Sequence, residues 1–218
     1  MSPSELPFVS VVVPTRNRSP LLAELLESLA RQTYPSSRFE VIIVDNSSED
    51  DTGNRVRAFA AVSPFTTRYI VKKNEGAAIA RNTGLEAARG DFIAFIDSDC
   101  VASPGWLEAG LSVFESGFGL VQGKTLPRPD QLGRVPNPTR TISIVAEGPI
   151  YETCNMFYRR EAMDRYNAQV QAYRNAYGGQ LNDQVLKQLG IDRQILNALV
   201  DEQAMVAETG EQGINLSG

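Results

Sequence analysis

Between residues 8 and 123, short apolar runs alternate with stretches of helical period, and this pattern leaves few folds open. The runs are residues 8–13, 39–44, 69–71, 92–96 and 120–121. Runs that are continuously apolar, rather than alternating apolar and polar, belong to strands covered on both faces, so they predict a mostly parallel sheet with helices above and below. Ser19-Pro20 predicts a helix start, with the serine as N-cap and the proline at the first helical position. Leu21, Leu22, Leu25, Leu26 and Leu29 form that helix's buried stripe. Residues 76–88 and 106–114 predict two more helices. The fold class is α/β, with an open sheet.

In such sheets ligands bind beyond the carboxyl ends of the strands. Those ends read Pro14-Thr15-Arg16-Asn17-Arg18, Asp45-Asn46-Ser47-Ser48, Asn74-Glu75-Gly76 and Asp97-Ser98-Asp99. One aspartate after a strand is ordinarily a helix cap, but four polar ends in series point to a binding site. Alternate residues of an extended segment face the same side, so Asp97 and Asp99 can reach a common point. Two close carboxylates repel each other unless a cation neutralises them, and hard oxygen donors select Mg2+ or Mn2+, which also bind phosphate oxygens. A diphosphate-bearing ligand follows from that chemistry. Asp45 can accept a hydrogen bond from a base N–H, and Pro14-Thr15-Arg16 can line a nucleotide pocket. Arg81 is read either as a fixed cation near the phosphates or the aspartates, or as an exposed helix arginine.

Histidine is absent from the 218 residues, which excludes Ser-His-Asp and Cys-His catalysis, histidine-ligated zinc and an imidazole base. Acid-base or metal chemistry must then use carboxylates. The net charge of -5 argues against a nucleic-acid binder with a strongly basic face. Cys100 and Cys154 are too few for a disulfide scaffold and too far apart for a metal knuckle, so both are expected as free thiols in a reducing compartment. With no secretory leader pattern and no apolar stretch near the roughly 18 residues of a membrane span, the chain is expected to be soluble and cytoplasmic. Trp106 is read as a core residue at a helix start, with a stacking platform as the alternative.

After Pro149 the composition changes. All 12 prolines lie at or before that position, while eight glutamines follow Arg165 against three before it. Val170, Tyr173 and Tyr177, then Leu181, Val185, Leu186 and Leu189, then Ile195, Leu196, Leu199, Val200 and Met205 recur at helical spacing. These predict three short helices and a boundary near residues 164–166, giving an α/β unit over 1–165 and an all-helical segment over 166–218.

The string Val11-Val12-Val13-Pro14-Thr15-Arg16-Asn17-Arg18, then Val44-Asp45-Asn46-Ser47-Ser48, then Asn74-Glu75-Gly76-Ala77-Ala78-Ile79-Ala80-Arg81-Asn82-Thr83-Gly84 and Phe95-Ile96-Asp97-Ser98-Asp99 resembles the family 2 glycosyltransferases. Residues 153–161, with Thr153, Cys154 and Asn155 leading, are similar to that family's acceptor-side segment. The resemblance covers about residues 6–165 and implies a Rossmann-like GT-A fold, a nucleotide-diphosphate sugar donor, a divalent metal and inversion at the anomeric carbon. The acceptor it implies is a saccharide or a lipid-linked group. It makes Asp45 the base-recognition residue, Asp97 a ribose or metal-side contact and Asp99 the metal ligand; Pro14, Thr15, Arg16, Asn74, Gly76, Arg81 and Ser98 join the donor site. The family's usual Gly-Gly-Phe-Asp-Glu turn and Glu-Asp pair, which supply the general base, do not follow Arg159-Arg160-Glu161. Gly178-Gly179-Gln180-Leu181-Asn182-Asp183 and Asp201-Glu202 imitate them from inside the glutamine-rich tail, which leaves Asp183, Asp201 and Glu202 as substitute candidates.

The tail, from Tyr173 through Leu189 to Ala204, resembles the N-terminal helical region of SurA/PpiD-type foldases. That resemblance implies contact with unfolded polypeptide and a compartment outside the inner membrane, in conflict with a cytoplasmic donor. A chimera accounts for both. Three readings stand: a donor-binding transferase domain weakened by a missing base, a chaperone-type module fused to a relic domain, and a non-functional mosaic.

Overall fold

The computed structural model describes residues 6–73, 76–116, 119–127, 154–176, 204–207 and 214–216. From the amino end, β1 (Val9–Thr15), α1 (Ser19–Ala30), β2 (Phe39–Asp45), α2 (Thr52–Ala60), β3 (Thr66–Val71), α3 (Ala77–Ala87) and β4 (Phe92–Ile96) alternate strand and helix. Then come β5 (Cys100–Val101), α4 (Trp106–Ser112), β6 (Leu120–Gly123), β7 (Thr125–Pro127), β8 (Asn155–Arg159), α5 (Arg160–Ala176), β9 (Ala204–Ala207) and β10 (Ile214–Leu216). The main sheet runs β3-β2-β1-β4-β8-β6-β9, and a second sheet runs β5-β10-β7. In the main sheet β1 pairs in parallel with both β2 and β4, and β2 with β3, whereas β8 is antiparallel to β4 and β6.

Every residue of β1, β2 and β4 is buried, which explains their unbroken apolar runs. Alternate side chains serve two cores. Val9, Val11 and Val13 pack with the α1 stripe of Leu22, Leu25, Leu26 and Leu29, while Val12, Ile42 and Val44 pack with Ala80, Ile93 and Phe95 on the opposite face. β3 begins at Thr66, three residues before the expected run, because it lies at the sheet's edge and its first residue can be exposed and polar.

Ser19 is not the N-cap of α1. Arg18 holds that position without a side-chain cap bond, and Ser19 is the first helical residue. The missing cap comes from another loop: Asp50 Oδ2 accepts the Ser19 N–H at 3.0 Å, and Asp50 Oδ1 accepts the Thr52 N–H at 3.0 Å. One aspartate thus satisfies orphan donors at the starts of both α1 and α2. Burial works to raise the Asp50 carboxyl, but the bonds from Thr52 and Ser19 outweigh it and hold the carboxyl below its ordinary value.

At the amino ends of the strands a buried polar knot joins four elements. Glu40, 1 % exposed, accepts the Ser10 hydroxyl at 2.8 Å, Arg68 Nη1 at 3.2 Å and the Arg89 N–H at 3.1 Å. Arg68 also donates to the carbonyl of Ala87 at 2.5 Å, closing the end of α3. Next to this knot the chain passes so close to itself that a Cβ on Gly90 would lie 2.6–2.7 Å from three backbone atoms, of Ser10, Phe8 and Phe92. Only glycine allows that approach.

The tail carries a helix, as expected, and beyond it two short strands that the sequence does not lead one to expect. α5 continues unbroken for 17 residues through positions 164–166 and takes in Val170 and Tyr173, but Met205 lies in β9, not on a helical stripe. β9 pairs in parallel with β6, Met205 opposite Val121, and so occupies the edge of the main sheet. An open strand edge offers a row of backbone donors and acceptors, and pairing there outweighs a helical period in a four-residue stretch. Tyr177, Leu181, Val185, Leu186, Leu189, Ile195, Leu196, Leu199 and Val200 lie outside the described residues. Among the described residues no helix is long and apolar enough to cross a membrane.

Two of the tyrosines contribute to an alkaline limit on stability. Burial pushes Tyr34 up to about 12 from 10.0, its hydroxyl donating to the Pro7 carbonyl at 2.5 Å, and burial likewise pushes Tyr158 up to about 12 against the opposing charge of Arg81. Above about pH 10 the unfolded chain releases these protons and the folded chain keeps them, so unfolding is favoured as pH rises. The urea midpoint is expected to show no contribution from these groups below pH 10 and to fall towards pH 12. A Tyr34→Phe, Tyr158→Phe double variant that fell just as steeply would assign the loss elsewhere.

Candidate functional site

The carboxyl ends of β1, β2 and β4 meet where the sheet order reverses, since β2 and β3 extend from one side of β1 and β4 lies on the other. Ligand clefts form at such switch points because neighbouring loops leave in opposite directions. Pairing of β1 with β4 ends at Val12, whereas pairing with β2 continues to Thr15 opposite Asp45. Pro14 has no N–H with which to prolong a ladder, so the two strands part there. The gap opens into a cavity of ≈ 260 Å³ lined by Pro14, Thr15, Arg16, Arg18, Asn46, Ala77, Ala80, Arg81, Asp97 and Ser98.

Of the expected donor-site residues, Pro14, Thr15, Arg16, Arg81, Asp97 and Ser98 are therefore brought together. Arg81 Nη2 donates to Asp97 Oδ1 at 2.5 Å, which settles the two readings of Arg81 in favour of the aspartate cluster. Asp99 is ion-paired with Arg18, a partner the sequence reading did not single out. Gly76 sits at φ 97 just ahead of α3, a conformation glycine adopts without strain. Asn74 and Thr153, together with Asp183, Asp201 and Glu202, lie outside the described residues.

Asp45 is 2 % exposed and both its oxygens are engaged. Oδ1 accepts the Ser48 N–H at 2.8 Å, and Oδ2 accepts the hydroxyl of Tyr69. Burial first, then Asp45 itself, pushes the Tyr69 hydroxyl well up, so the phenol keeps its proton. Asn46, one residue on, is the β2-end residue that lines the cavity. Tyr69 carried no motif signal, and Asn46 stood in the Val44-Asp45-Asn46-Ser47-Ser48 motif without a role of its own. The tyrosine reads as an ordinary strand residue, and only the β2–β3 register brings its hydroxyl to Asp45.

The loops after β1 and β2 are pinned to each other. Asn17, at φ 51, donates its N–H to Ser48 Oγ at 2.9 Å and accepts the Glu49 N–H on Oδ1 at 2.7 Å. Ser47, at φ 61, donates its hydroxyl to the Lys72 carbonyl at 2.7 Å. Two non-glycine residues at positive φ beside one cavity are a local cost that the cross-loop bonds hold in place.

The side chains of Asp97 and Asp99 are 28 % and 23 % exposed, so their oxygens remain reachable from solvent. Burial raises the Asp99 carboxyl above its ordinary value, the charge of Arg18 opposes that, and the neighbouring charge of Asp97 adds to it. Such a pair fits Mg2+ or Mn2+: hard carboxylate oxygens in mutual repulsion gain from a divalent cation, and Mg2+ is ordinarily held by one or two carboxylates plus substrate phosphates. Among the cavity's lining atoms the Thr15 hydroxyl, 4 % exposed, and Arg81 Nε are buried without a hydrogen-bond partner. A buried polar atom left unpaired costs roughly 1–3 kcal/mol, which a bound polar ligand can relieve.

Of the residues expected on the acceptor side, Cys154 and Asn155 are buried. β8 runs antiparallel to β4, so Asn155 lies opposite Ile96 at the same sheet edge as the aspartates. Asn155, 1 % exposed, accepts Trp106 Nε1–H at 2.9 Å and donates to the Lys124 carbonyl at 3.0 Å. Trp106 is thereby a core residue, 2 % exposed and tilted against Phe157. Cys154 and Cys100 are both buried and outside any disulfide, and burial pushes the Cys100 thiol far up.

The sequence profile of Glycosyl transferase family 2 matches residues 10–176, and that of the SurA-like N-terminal domain matches residues 155–218. Similar proteins include the glycosyltransferase AglE of Haloferax volcanii, 32% identical over 168 residues that make up 74% of this chain and 55% of that protein. The succinoglycan biosynthesis protein ExoM of Rhizobium meliloti is 32% identical over 168 residues, 73% of this chain and 54% of its own. The chain therefore spans about half the length of these relatives. Among solved structures, the mannosyltransferase PcManGT from Pyrobaculum calidifontis in complex with GDP-Man and Mn2+ superposes with a TM-score of 0.69 at 23% identity, covering 98% of this chain and 57% of that one. TarS of Staphylococcus aureus in complex with UDP gives 0.66 at 20% identity over 97% of this chain and 60% of that one. At those identities the likeness speaks for the fold, a GT-A sheet with flanking helices.

Proposed function

Because the chain belongs to glycosyl transferase family 2, we propose that it binds a nucleotide-diphosphate sugar in the cavity at the ends of β1, β2 and β4, with Mg2+ or Mn2+ on Asp99 and Asp97. The observation that carries this reading is the convergence on one cavity of three arginines, Asp97 and the buried, unpartnered Thr15 hydroxyl. Thr15 and Asn46 offer hydrogen bonds to the nucleoside, and Arg16 and Arg81 offer charge to the diphosphate. Asp45, held by Tyr69 and Ser48, keeps lone pairs for a base N–H and stands next to Asn46, which lines the cavity. Fold relatives solved in complex with GDP-Man and with UDP support a nucleotide donor.

Asp99 and Asp97 would hold the cation, whose charge would offset that of the departing diphosphate. Transfer to a saccharide or lipid-linked hydroxyl would proceed by one displacement with inversion, and requires a carboxylate base on the acceptor side. The candidates for that base are Asp183, Asp201 and Glu202. Without a competent base, transfer is expected to fall by roughly 10² to 10⁴ while donor binding persists. A nucleotide-sugar donor puts this activity in the cytoplasm, where such donors are made.

A thermal melt with UDP, GDP or dTDP, each with and without Mn2+, tests the reading. A ligand that binds only the folded state raises the midpoint, by about 5 °C or more near a hundredfold excess over Kd. A cooperative melt that no nucleotide moves would remove the donor-site reading.

A second reading, that the later part of the chain contacts unfolded polypeptide, is supported by the match over residues 155–218 and by α5, none of whose residues is buried. Suppression of the aggregation of a denatured client by the whole chain, with no nucleotide shift, is the result that would favour it.

A further inference from the structure

We propose that Arg18 is a ligand-exchange residue of this site: it neutralises Asp99 while no cation is present and turns to the donor's diphosphate once a divalent cation takes that carboxylate. The inference rests on the nucleotide-sugar reading above and adds a residue to it.

The two arginine–aspartate pairs of the site differ in how far the arginine is exposed. Arg81 projects from α3, its side chain is 19 % exposed, and its Nε is buried. Arg18 projects from the loop after β1, its side chain is 46 % exposed, and it lines the cavity as well as reaching Asp99. Its backbone, by contrast, is fixed. The Arg18 carbonyl accepts the Leu22 N–H at 2.9 Å in the first turn of α1, and the preceding Asn17 is tied to Ser48 and Glu49. A long side chain on a fixed root, half in solvent, can swing between two anions without disturbing packing or losing buried area.

Charge dictates the direction of the swing. A guanidinium and a divalent cation compete for the same oxygens of Asp99 and repel each other when both are close. Displaced from Asp99, the guanidinium meets a cavity in which Asp97 already holds Arg81. The anion then available to it is the diphosphate, which accepts the two parallel N–H bonds of a planar fork as a carboxylate does. Arg18 therefore opposes binding of the bare cation and favours binding of the cation with the nucleotide.

Manganese titration followed by electron paramagnetic resonance, first without nucleotide and then with UDP or GDP at saturating Mn2+, separates these effects. Arg18→Met is expected to bind Mn2+ alone roughly three- to tenfold more tightly than the wild type, and the nucleotide roughly tenfold more weakly. Arg18→Lys keeps the charge without the fork and is expected to lie between the two on both readings. In variants that melt as the wild type does, Mn2+ affinity that stays the same or drops, or nucleotide affinity that stays the same, overturns the assignment. If Arg18→Met does not fold, the same two readings on Arg18→Lys decide. Wild-type protein that binds no nucleotide at all overturns the donor-site reading itself, whereas wild-type nucleotide binding with an unaltered Arg18→Met profile removes Arg18 alone.

Discussion

Asp99→Asn is expected to lower the Mn2+-supported affinity for a nucleoside diphosphate by about 100-fold or more, since even residues that only orient a metal's ligands account for 10–100-fold. Asparagine keeps the shape of the side chain but loses the charge and one hard oxygen, so the cation is left with Asp97, which Arg81 already engages. The free protein is expected to melt as well as the wild type, or slightly better. Burial holds the Asp99 carboxyl above its ordinary value, so the folded state bears a cost in keeping it charged, and a neutral amide removes that cost. Arg18, half in water, loses its partner without being stranded in the interior. Isothermal titration of UDP or GDP with and without Mn2+, beside a melt of each free protein, checks both halves. Retained metal-dependent affinity in a folded Asp99→Asn protein would place the cation elsewhere.

A second large effect is expected far from the cavity. Glu40→Ala should destabilise the fold by about 3–5 kcal/mol, the usual result of removing one partner from a buried charged pair. The alanine strips Ser10, Arg68 and the Arg89 N–H of an acceptor together, and leaves a void between β1, β2 and β3. Arg68 is 27 % exposed at its side chain and recovers some hydration, which sets the expectation at the lower end. Glu40→Gln, which keeps an acceptor and the volume, should cost only about 1.5–3 kcal/mol. Urea unfolding gives the answer through a lower midpoint at unchanged slope. A loss below about 1 kcal/mol for the alanine would mean that the knot behaves as a surface pair. Nucleotide binding measured well below the melting temperature should be unaffected, because the knot lies at the opposite ends of the strands from the cavity.

The two sites differ in how far the sequence exposes them. Asp97-Ser98-Asp99 is legible because its meaning is local: a buried strand ends and two carboxylates follow at alternate positions. Pro14-Thr15-Arg16 is legible for the same reason, whereas at the end of β2 it is Asn46, and not Asp45, that lines the cavity. The partner of Asp99 is not, because Arg18 stands 81 positions away and reads as one polar residue in a polar loop. Tyr69, 24 positions from Asp45, reads as a strand residue and nothing more. Ser19 misleads because a serine before a proline and a leucine stripe has the form of a cap, whereas the cap is Asp50, 31 positions on. Met205 misleads because apolar spacing over a few residues does not separate a helix from an edge strand.

By itself the sequence determined what short stretches of backbone and burial can determine. Continuous apolar runs required strands covered on both faces, the polar residues after them fell at one edge of a parallel sheet, and the lack of histidine left carboxylates as the groups for acid-base and metal chemistry. Tertiary structure alone decided which loops face each other. The order β3-β2-β1-β4-β8-β6-β9, the parting of β1 from β4 beyond Val12, and the pairing of Arg18 with Asp99 and Arg81 with Asp97 all depend on contacts between distant segments. Those contacts are selected by how whole faces pack and how charges are neutralised, and no local pattern of side chains encodes them.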